Sequence, residues 1–224
     1  MYQWSFINLQ EVQDAPAELI LVLRQIFADG FGLTTLWQEE DAQHALTRST
    51  ILGLLQNPAG QIGGYAFYTL PEAPLLGSHL LWEDAVCLRK SLQGQGYAGH
   101  KLFACIREYL NDRTVGWLGG RTQNPIVMRR YARFGETLPF DALYDEQPQV
   151  MNYLIEHIAE VQSAQQQMDK RTGICRQVYP EGRLGDYPID VPGTEKYQDL
   201  LKSWGFSPER GDAVVVLTHL NEPL

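Results

Sequence analysis

The sequence predicts an α/β fold in which a mixed, mostly antiparallel sheet is flanked by helices, and three observations predict it. Apolar residues switch repeatedly between strand-like and helix-like spacing along the chain. Two strand-like runs, "STILGLL" and "QIGGYAFYTL", flank the turn cluster "QNPAG", which makes them an antiparallel hairpin. Two more, "SHLLWEDAVCL" and "TVGWLGG", are separated by an amphipathic helix, which makes them parallel neighbours.

Each element has its own local reason. "QWSFINL" reads as a first strand, and Asp14 followed by Pro16 opens a helix whose apolar stripe is Leu19, Ile20, Leu23, Ile26 and Phe27. A polar helix occupies about 38–48, ahead of the hairpin. After the Pro-rich loop "PEAPLLG" the next strand ends near Leu88. A helix from Tyr97 to Asn111 carries Ala98, Leu102, Cys105, Ile106 and Tyr109 on one face. Asn124 and Pro125 form an N-cap followed by proline in the first helical turn, opening a short helix that ends near Gly135.

From 137 onward the pattern changes. A Gln-rich helix spans about 148–169, with Val150, Tyr153, Leu154, Ile158 and Val161 at helical spacing. It is followed by a strand "GICRQVY", a Gly/Pro/Asp-rich stretch, a short helix "EKYQDLLKSWG" and a final strand "DAVVVLTHL". This gives a core over 1–136, an inserted helical region over 137–211 and a closing strand over 212–224. The inserted helix must bury its apolar face, either as a wall of an acceptor or acyl pocket or in a homodimer contact.

Composition narrows the function. At 224 residues and 44% hydrophobic the chain can bury one sizeable core. A net charge of −9 and a pI near 5.0 argue against nucleic acid, which needs a basic face, and fit a cationic acceptor. Cys87, Cys105 and Cys175 form no close pair, and "MYQWSFINLQEVQD" lacks a basic start followed by an apolar run, so we expect a reduced, cytoplasmic protein. Apolar runs such as "ELILVL" fall far short of the ~20 residues of a membrane span. The five histidines have no metal-ligand spacing, so no metal is expected.

The segment "LQGQGYAGHKL" holds Gly94, Gly96 and Gly99 in the spacing G-x-G-x-x-G. A dinucleotide site places these glycines directly after its first strand, with an acidic residue about 20 positions on. Here antiparallel elements precede the glycines, "RKSLQ" separates them from their strand, and the next strand ends in "GGRT" without a carboxylate. A second register fits better. Gln93, Gly96 and Ala98 read as Q-x-x-G-x-A, with Gly94, Gln95, Tyr97 and Gly99 completing a turn whose free N–H groups lie at a helix start, where a pyrophosphate binds.

With "DAVCLRKSLQGQGYAGHKL" followed by "NPIVMRRYARFG", in which Asn124, Tyr131 and Gly135 are spaced seven and four apart, the chain resembles the GNAT superfamily of acyl-CoA-dependent N-acyltransferases. The resemblance covers residues 80 to 135, with the helix and hairpin upstream in the family's order. It departs at Glu136, where an apolar or aromatic residue is common, and in the length of 137–211.

The resemblance implies that the parallel pair splays apart centrally and that an acetyl-CoA or longer acyl-CoA lays its pantetheine arm along the backbone of Val86, Cys87 and Leu88. It implies a pyrophosphate at Gln93–Gly99, a cofactor contact at Asn124, and Tyr131 as the acid that protonates the departing thiolate. Asp84, nine residues before Gln93, matches the position where many members carry a carboxylate, and Glu83 is the alternative base. As neighbours on a strand, the two point to opposite faces. Cys87 is expected in the core, and His157 is a surface histidine or a relay through water. The implied activity is acyl transfer to a primary amine of a peptide, polyamine, amino sugar or amino acid. A non-catalytic acyl-CoA-binding domain of the same fold is the other reading.

Overall fold

The computed structural model describes residues 1–11, 16–33, 38–111, 113–180, 182–185, 187 and 191–224; Asp14, expected at a helix start, lies outside them. The chain divides into two compact units, one of residues 1–70 and 83–113 with the last residue, the other of 71–82 and 114–223.

The first unit contains β1 (Gln3–Asn8), α1 (Ala17–Phe31), α2 (Glu39–Arg48), β2 (Ile51–Gln56), β3 (Ile62–Thr69), the second half of β4 (His79–Leu88) and α3 (Leu102–Leu110). β1 pairs antiparallel with β2, and β2 with β3, in the order the turn at 57–61 dictates. Asn57 builds that turn, its Oδ1 accepting from Ala59 N and Gln61 N, both at 3.0 Å. The stripe read on α1 is real: Leu23 and Ile26 are fully buried against Leu52, Leu54, Tyr65, Phe67 and Cys87. Truncating either to alanine would cost about 2–5 kcal/mol. The helix expected from Tyr97 begins as a wider π-type turn over Tyr97–Lys101 and becomes regular only at Leu102. Tyr109, placed on its buried face by the spacing, is instead 39% exposed and leans on the Phe6 ring, 5.3 Å between centroids.

The second unit contains the first half of β4, β5 (Val115–Thr122), α4 (Pro125–Tyr131), β6 (Gly135–Leu138), α5 (Pro148–His157), α6 (Ala159–Ala164), β7 (Met168–Asp169), β8 (Ile174–Cys175), α7 (Glu195–Ser203) and β9 (Ala213–Leu220). β4 and β5 are the parallel pair, and the rest of the sheet is antiparallel. β9 pairs with β5 along one edge and with β6 and β8 along the other.

Three readings change here. The helix expected over 148–169 breaks at Ile158, whose backbone is extended (φ −114°, ψ 105°) while its side chain is buried with Trp82, Trp117 and Leu154. Packing of a β-branched residue overrides helical continuity there. The strand expected over 173–179 pairs only at Ile174 and Cys175, because Gln177 takes φ 51°. The helix opened by Pro125 ends at Tyr131, and Gly135 instead starts a strand that was not anticipated. Gly135 has a steric reason: any Cβ would collide with the His219 carbonyl oxygen across β6–β9.

Val150, Leu154 and Val161 are fully buried in the unit's own core with Trp82 and Trp117. The apolar face of the 148–164 helices is therefore consumed within the chain, and a homodimer would need another surface. Its polar anchor is Glu160, which meets Arg121 at 2.8 Å and accepts from Trp82 Nε1 at 3.2 Å.

Candidate active site

The first unit gathers the glycine turn, the end of β4 and the carboxylate pair. Burial requires α1 to run close to β4, and Gly30 allows it. A Cβ at Gly30 would lie 2.5 Å from the Leu88 carbonyl oxygen and 2.6 Å from the Cys87 sulfur. The helix accepts the ~1 kcal/mol cost of an interior glycine for this approach. The end of α1 then organises the loop after β4. Asp29 accepts from the Lys90 amide at 2.9 Å, and the Gln93 side chain donates to the carbonyls of Gly30 at 2.8 Å and Leu88 at 3.1 Å. From the other side, the Arg89 amide donates to Gly63 at 2.8 Å and the Trp4 indole to the Tyr97 carbonyl at 3.0 Å.

Between these braces the backbone turns left-handed twice, at Gly94 (φ 75°) and Gly96 (φ 78°), and a side chain at either position would meet open space. Glycine is therefore required by the dihedral rather than by any neighbour in the protein. The amides of Gly94, Gln95, Gly96 and Tyr97 have no acceptor among the described residues. Four consecutive donors at a helix start are the kind of arrangement that can hold an anion, in a chain of net charge −9. The sequence carried a further signal that its motif reading passed over. No acidic residue occurs from 85 to 107, while Arg89, Lys90, Lys101 and Arg107 all fall there.

Cys87 lies in the core as expected, its thiol donating to the Ile26 carbonyl at 3.4 Å. Burial pushes that thiol up to about 12. Asp84 is half-buried, and its Oδ2 accepts from Ser49 Oγ at 2.9 Å and from Thr69 Oγ1 at 2.7 Å. Glu83, next to it, is buried. Neither Gly30 nor the two hydroxyls was singled out by sequence reasoning, since each matters only through residues far away in the chain.

The second unit holds the other two residues. Asn124 caps α4: its Oδ1 accepts from Ile126 N at 2.9 Å, with Pro125 in the first turn. Tyr131, the last residue of α4, is 1% exposed, and its hydroxyl donates to the Gly119 carbonyl of β5 at 3.2 Å. His157 is partly exposed, 4.0 Å from Glu156 and against the Tyr153 ring. Glu136 is exposed on β6, opposite His219. Among the described residues there is no group of three His, Cys, Asp or Glu able to hold a metal ion. Among them, too, no helix is long and apolar enough to cross a membrane.

No protein-family profile matches the chain, and no curated protein matches it. Solved structures do. A candidate phosphinothricin N-acetyltransferase is 9% identical over 98% of this chain and 100% of its own, with a TM-score of 0.52. The ribosomal-protein-S18-alanine N-acetyltransferase from Escherichia coli is 11% identical over 98% of this chain and 94% of its own, with a TM-score of 0.49. An IAA acetyltransferase from Bacillus cereus is 12% identical over 98% and 100%, also at 0.49. At such identities the likeness is one of fold. The mostly antiparallel sheet, the parallel pair β4–β5 and the flanking helices agree with it: this chain has the GNAT acyltransferase fold.

Proposed function

We propose that the protein is an N-acyltransferase that moves an acetyl or longer acyl group from acyl-CoA to a primary amine. The observation that supports it most is the run of four amides at Gly94–Tyr97 with no acceptor among the described residues, set in a stretch of an acidic chain, 85–107, that has basic residues and no acids. A diphosphate suits that cradle, and an amine acceptor suits the acidic remainder.

In this reading the pyrophosphate binds the Gln93–Gly99 turn, and the pantetheine arm bonds the backbone of Val86, Cys87 and Leu88. Asn124 contacts the cofactor through its side-chain nitrogen, its oxygen being held in the cap. The ammonium form of the acceptor gives one proton to Asp84, with Glu83 as the alternative base. The free amine then attacks the thioester carbonyl, the new C–N bond forms, and the C–S bond breaks. Tyr131 gives its proton to the leaving thiolate, and the second proton lost by the nitrogen, passed through solvent, restores the Tyr131 hydroxyl, giving amide and free CoA. To do so the Tyr131 hydroxyl would exchange the Gly119 carbonyl for the sulfur.

The same bond also supports a second reading. A tyrosine buried with its hydroxyl already satisfied is what a non-catalytic acyl-CoA-binding domain would keep for packing alone. A free-thiol release assay separates the two. Acetyl-CoA and longer acyl-CoAs are offered with an alanine-terminated peptide, spermidine, glucosamine and glycine. Amine-dependent thiol release supports the enzyme; binding of acyl-CoA with no release for any pair supports the binding domain.

A further inference from the structure

Asp84 is held by more than burial requires. Ser49 Oγ donates to its Oδ2 at 2.9 Å and Thr69 Oγ1 donates to the same oxygen at 2.7 Å. The two hydroxyls come from different places, Ser49 from the C-terminal cap of α2 and Thr69 from the last position of β3. Thr50 brings them together. Its amide donates to the Tyr68 carbonyl at 2.8 Å, its hydroxyl donates to the same carbonyl at 3.1 Å, and that hydroxyl accepts from the Leu70 amide at 2.9 Å. The α2–β2 junction and the end of β3 are thus stapled, with a hydroxyl presented from each side of the staple.

Thr50 satisfies its own polar groups through main-chain partners, whereas the hydroxyls of Ser49 and Thr69 both converge on one carboxylate oxygen. An O–H can serve both only as donor, and two donors on one oxygen suit the unprotonated carboxylate and fix its rotamer. A base works when its lone pair is held in line with the proton it takes.

We propose that Ser49 and Thr69 are positioning residues that aim the Asp84 carboxylate at the acceptor amine, and that Asp84 rather than Glu83 is the base. The inference rests on the acyltransfer reading above, in which a carboxylate of β4 takes the amine's proton.

Steady-state kinetics of the full chain test it, using acetyl-CoA and whichever of spermidine, glucosamine, glycine or the alanine-terminated peptide turns over fastest. Thr69→Val and Ser49→Ala should each lower kcat about tenfold with the acetyl-CoA KM unchanged. Thr69→Ser, which restores a hydroxyl, should recover most of the loss. In an Asp84→Asn background Thr69→Val should add nothing, because the group it aims is gone. Ser49→Ala keeps the test alive if Thr69→Val fails to fold. Full kcat in both hydroxyl variants, with Asp84→Asn impaired, overturns the positioning role and leaves the acyltransfer reading standing. Full kcat in Asp84→Asn with Glu83→Gln impaired overturns the assignment of the base itself.

Discussion

The Gln93 side-chain amide lies 3.1 Å from the Leu88 carbonyl oxygen, five residues earlier in the chain, and the same nitrogen reaches Gly30 at 2.8 Å. One side chain therefore ties the glycine turn to both the end of β4 and the end of α1. Gln93→Ala removes two hydrogen bonds that together are worth ~1 kcal/mol at this partly exposed position. Acetyl-CoA affinity should fall about fivefold while the folded state persists. Titration calorimetry reads the change, and an unaltered Kd would show that the turn holds its shape without Gln93.

Gly96→Ala tests the turn from within. Its Cβ would meet no protein atom, so the cost comes from φ 78°, about 1–2 kcal/mol for an L-residue, or roughly 2–4 °C of Tm per kcal/mol in a chain this long. On the proposed reading, a methyl there would also crowd a phosphate docked on the turn. Binding of acetyl-CoA should weaken at least tenfold, and Gly96→Val, with a branched Cβ, should abolish it at a larger cost in Tm. A melting scan beside the titration separates the two effects; normal affinity in Gly96→Ala would remove the phosphate cradle.

The chemistry makes a different demand. A positioned acid or base contributes on the order of 10² to 10⁴ in rate, so Asp84→Asn and Tyr131→Phe should each lower kcat by that order and leave acetyl-CoA affinity nearly unchanged. Tyr131→Phe forfeits the bond to Gly119 as well, with a stability loss of about 1 kcal/mol. A Tyr131→Phe enzyme with full kcat would make that tyrosine a packing residue.

Stability of the second unit depends on a buried ion pair. Glu160 is 8% exposed, 2.8 Å from Arg121, and takes the Trp82 indole N–H at 3.2 Å. Glu160→Leu would leave the guanidinium buried without its counter-charge, a loss of about 3–5 kcal/mol. Arg121→Met combined with Glu160→Leu should recover much of it. Urea titration of the single and double variants measures this, and additive losses would show that the pair is not coupled.

These pairs also show what a sequence discloses. The turn at Asn57 and the Asn124–Pro125 cap were legible because each is settled by chemistry within a few residues; the glycine turn was legible as a motif, but not the left-handed backbone of Gly94 and Gly96. The Trp82–Glu160 bond spans 78 residues and Ser49–Asp84 spans 35, and neither has a local signature. The break at Ile158 was hidden for the opposite reason: its spacing is helical on both sides, and only the surrounding core decides that the chain turns there. Gly135 was legible as part of a family pattern but not as the start of a strand, since its need arises from the His219 backbone, 84 residues away by number.

The cysteines give a pH-dependent expectation. Burial pushes the thiols of Cys87 and Cys175 from 9.0 up to about 12, so both stay protonated in the folded chain at pH 8. A thiol reagent should label only Cys105 in the native protein and all three in urea. Above pH 9 the unfolded chain releases these protons before the folded one does, so stability is complete below that pH and declines as pH rises toward 12. Rapid labelling of a second thiol at pH 8 would contradict the burial of that pair.

Amide chemical shifts of the nitrogen-15-labelled protein, followed through a titration with acetyl-CoA, test the central claim most directly. The account predicts that the amides of Gly94, Gln95, Gly96 and Tyr97 move first and furthest, saturating together, and that inorganic pyrophosphate moves the same four at higher concentration. Acetyl-CoA that binds while those four amides stay still, or that fails to bind at millimolar concentration, would contradict it.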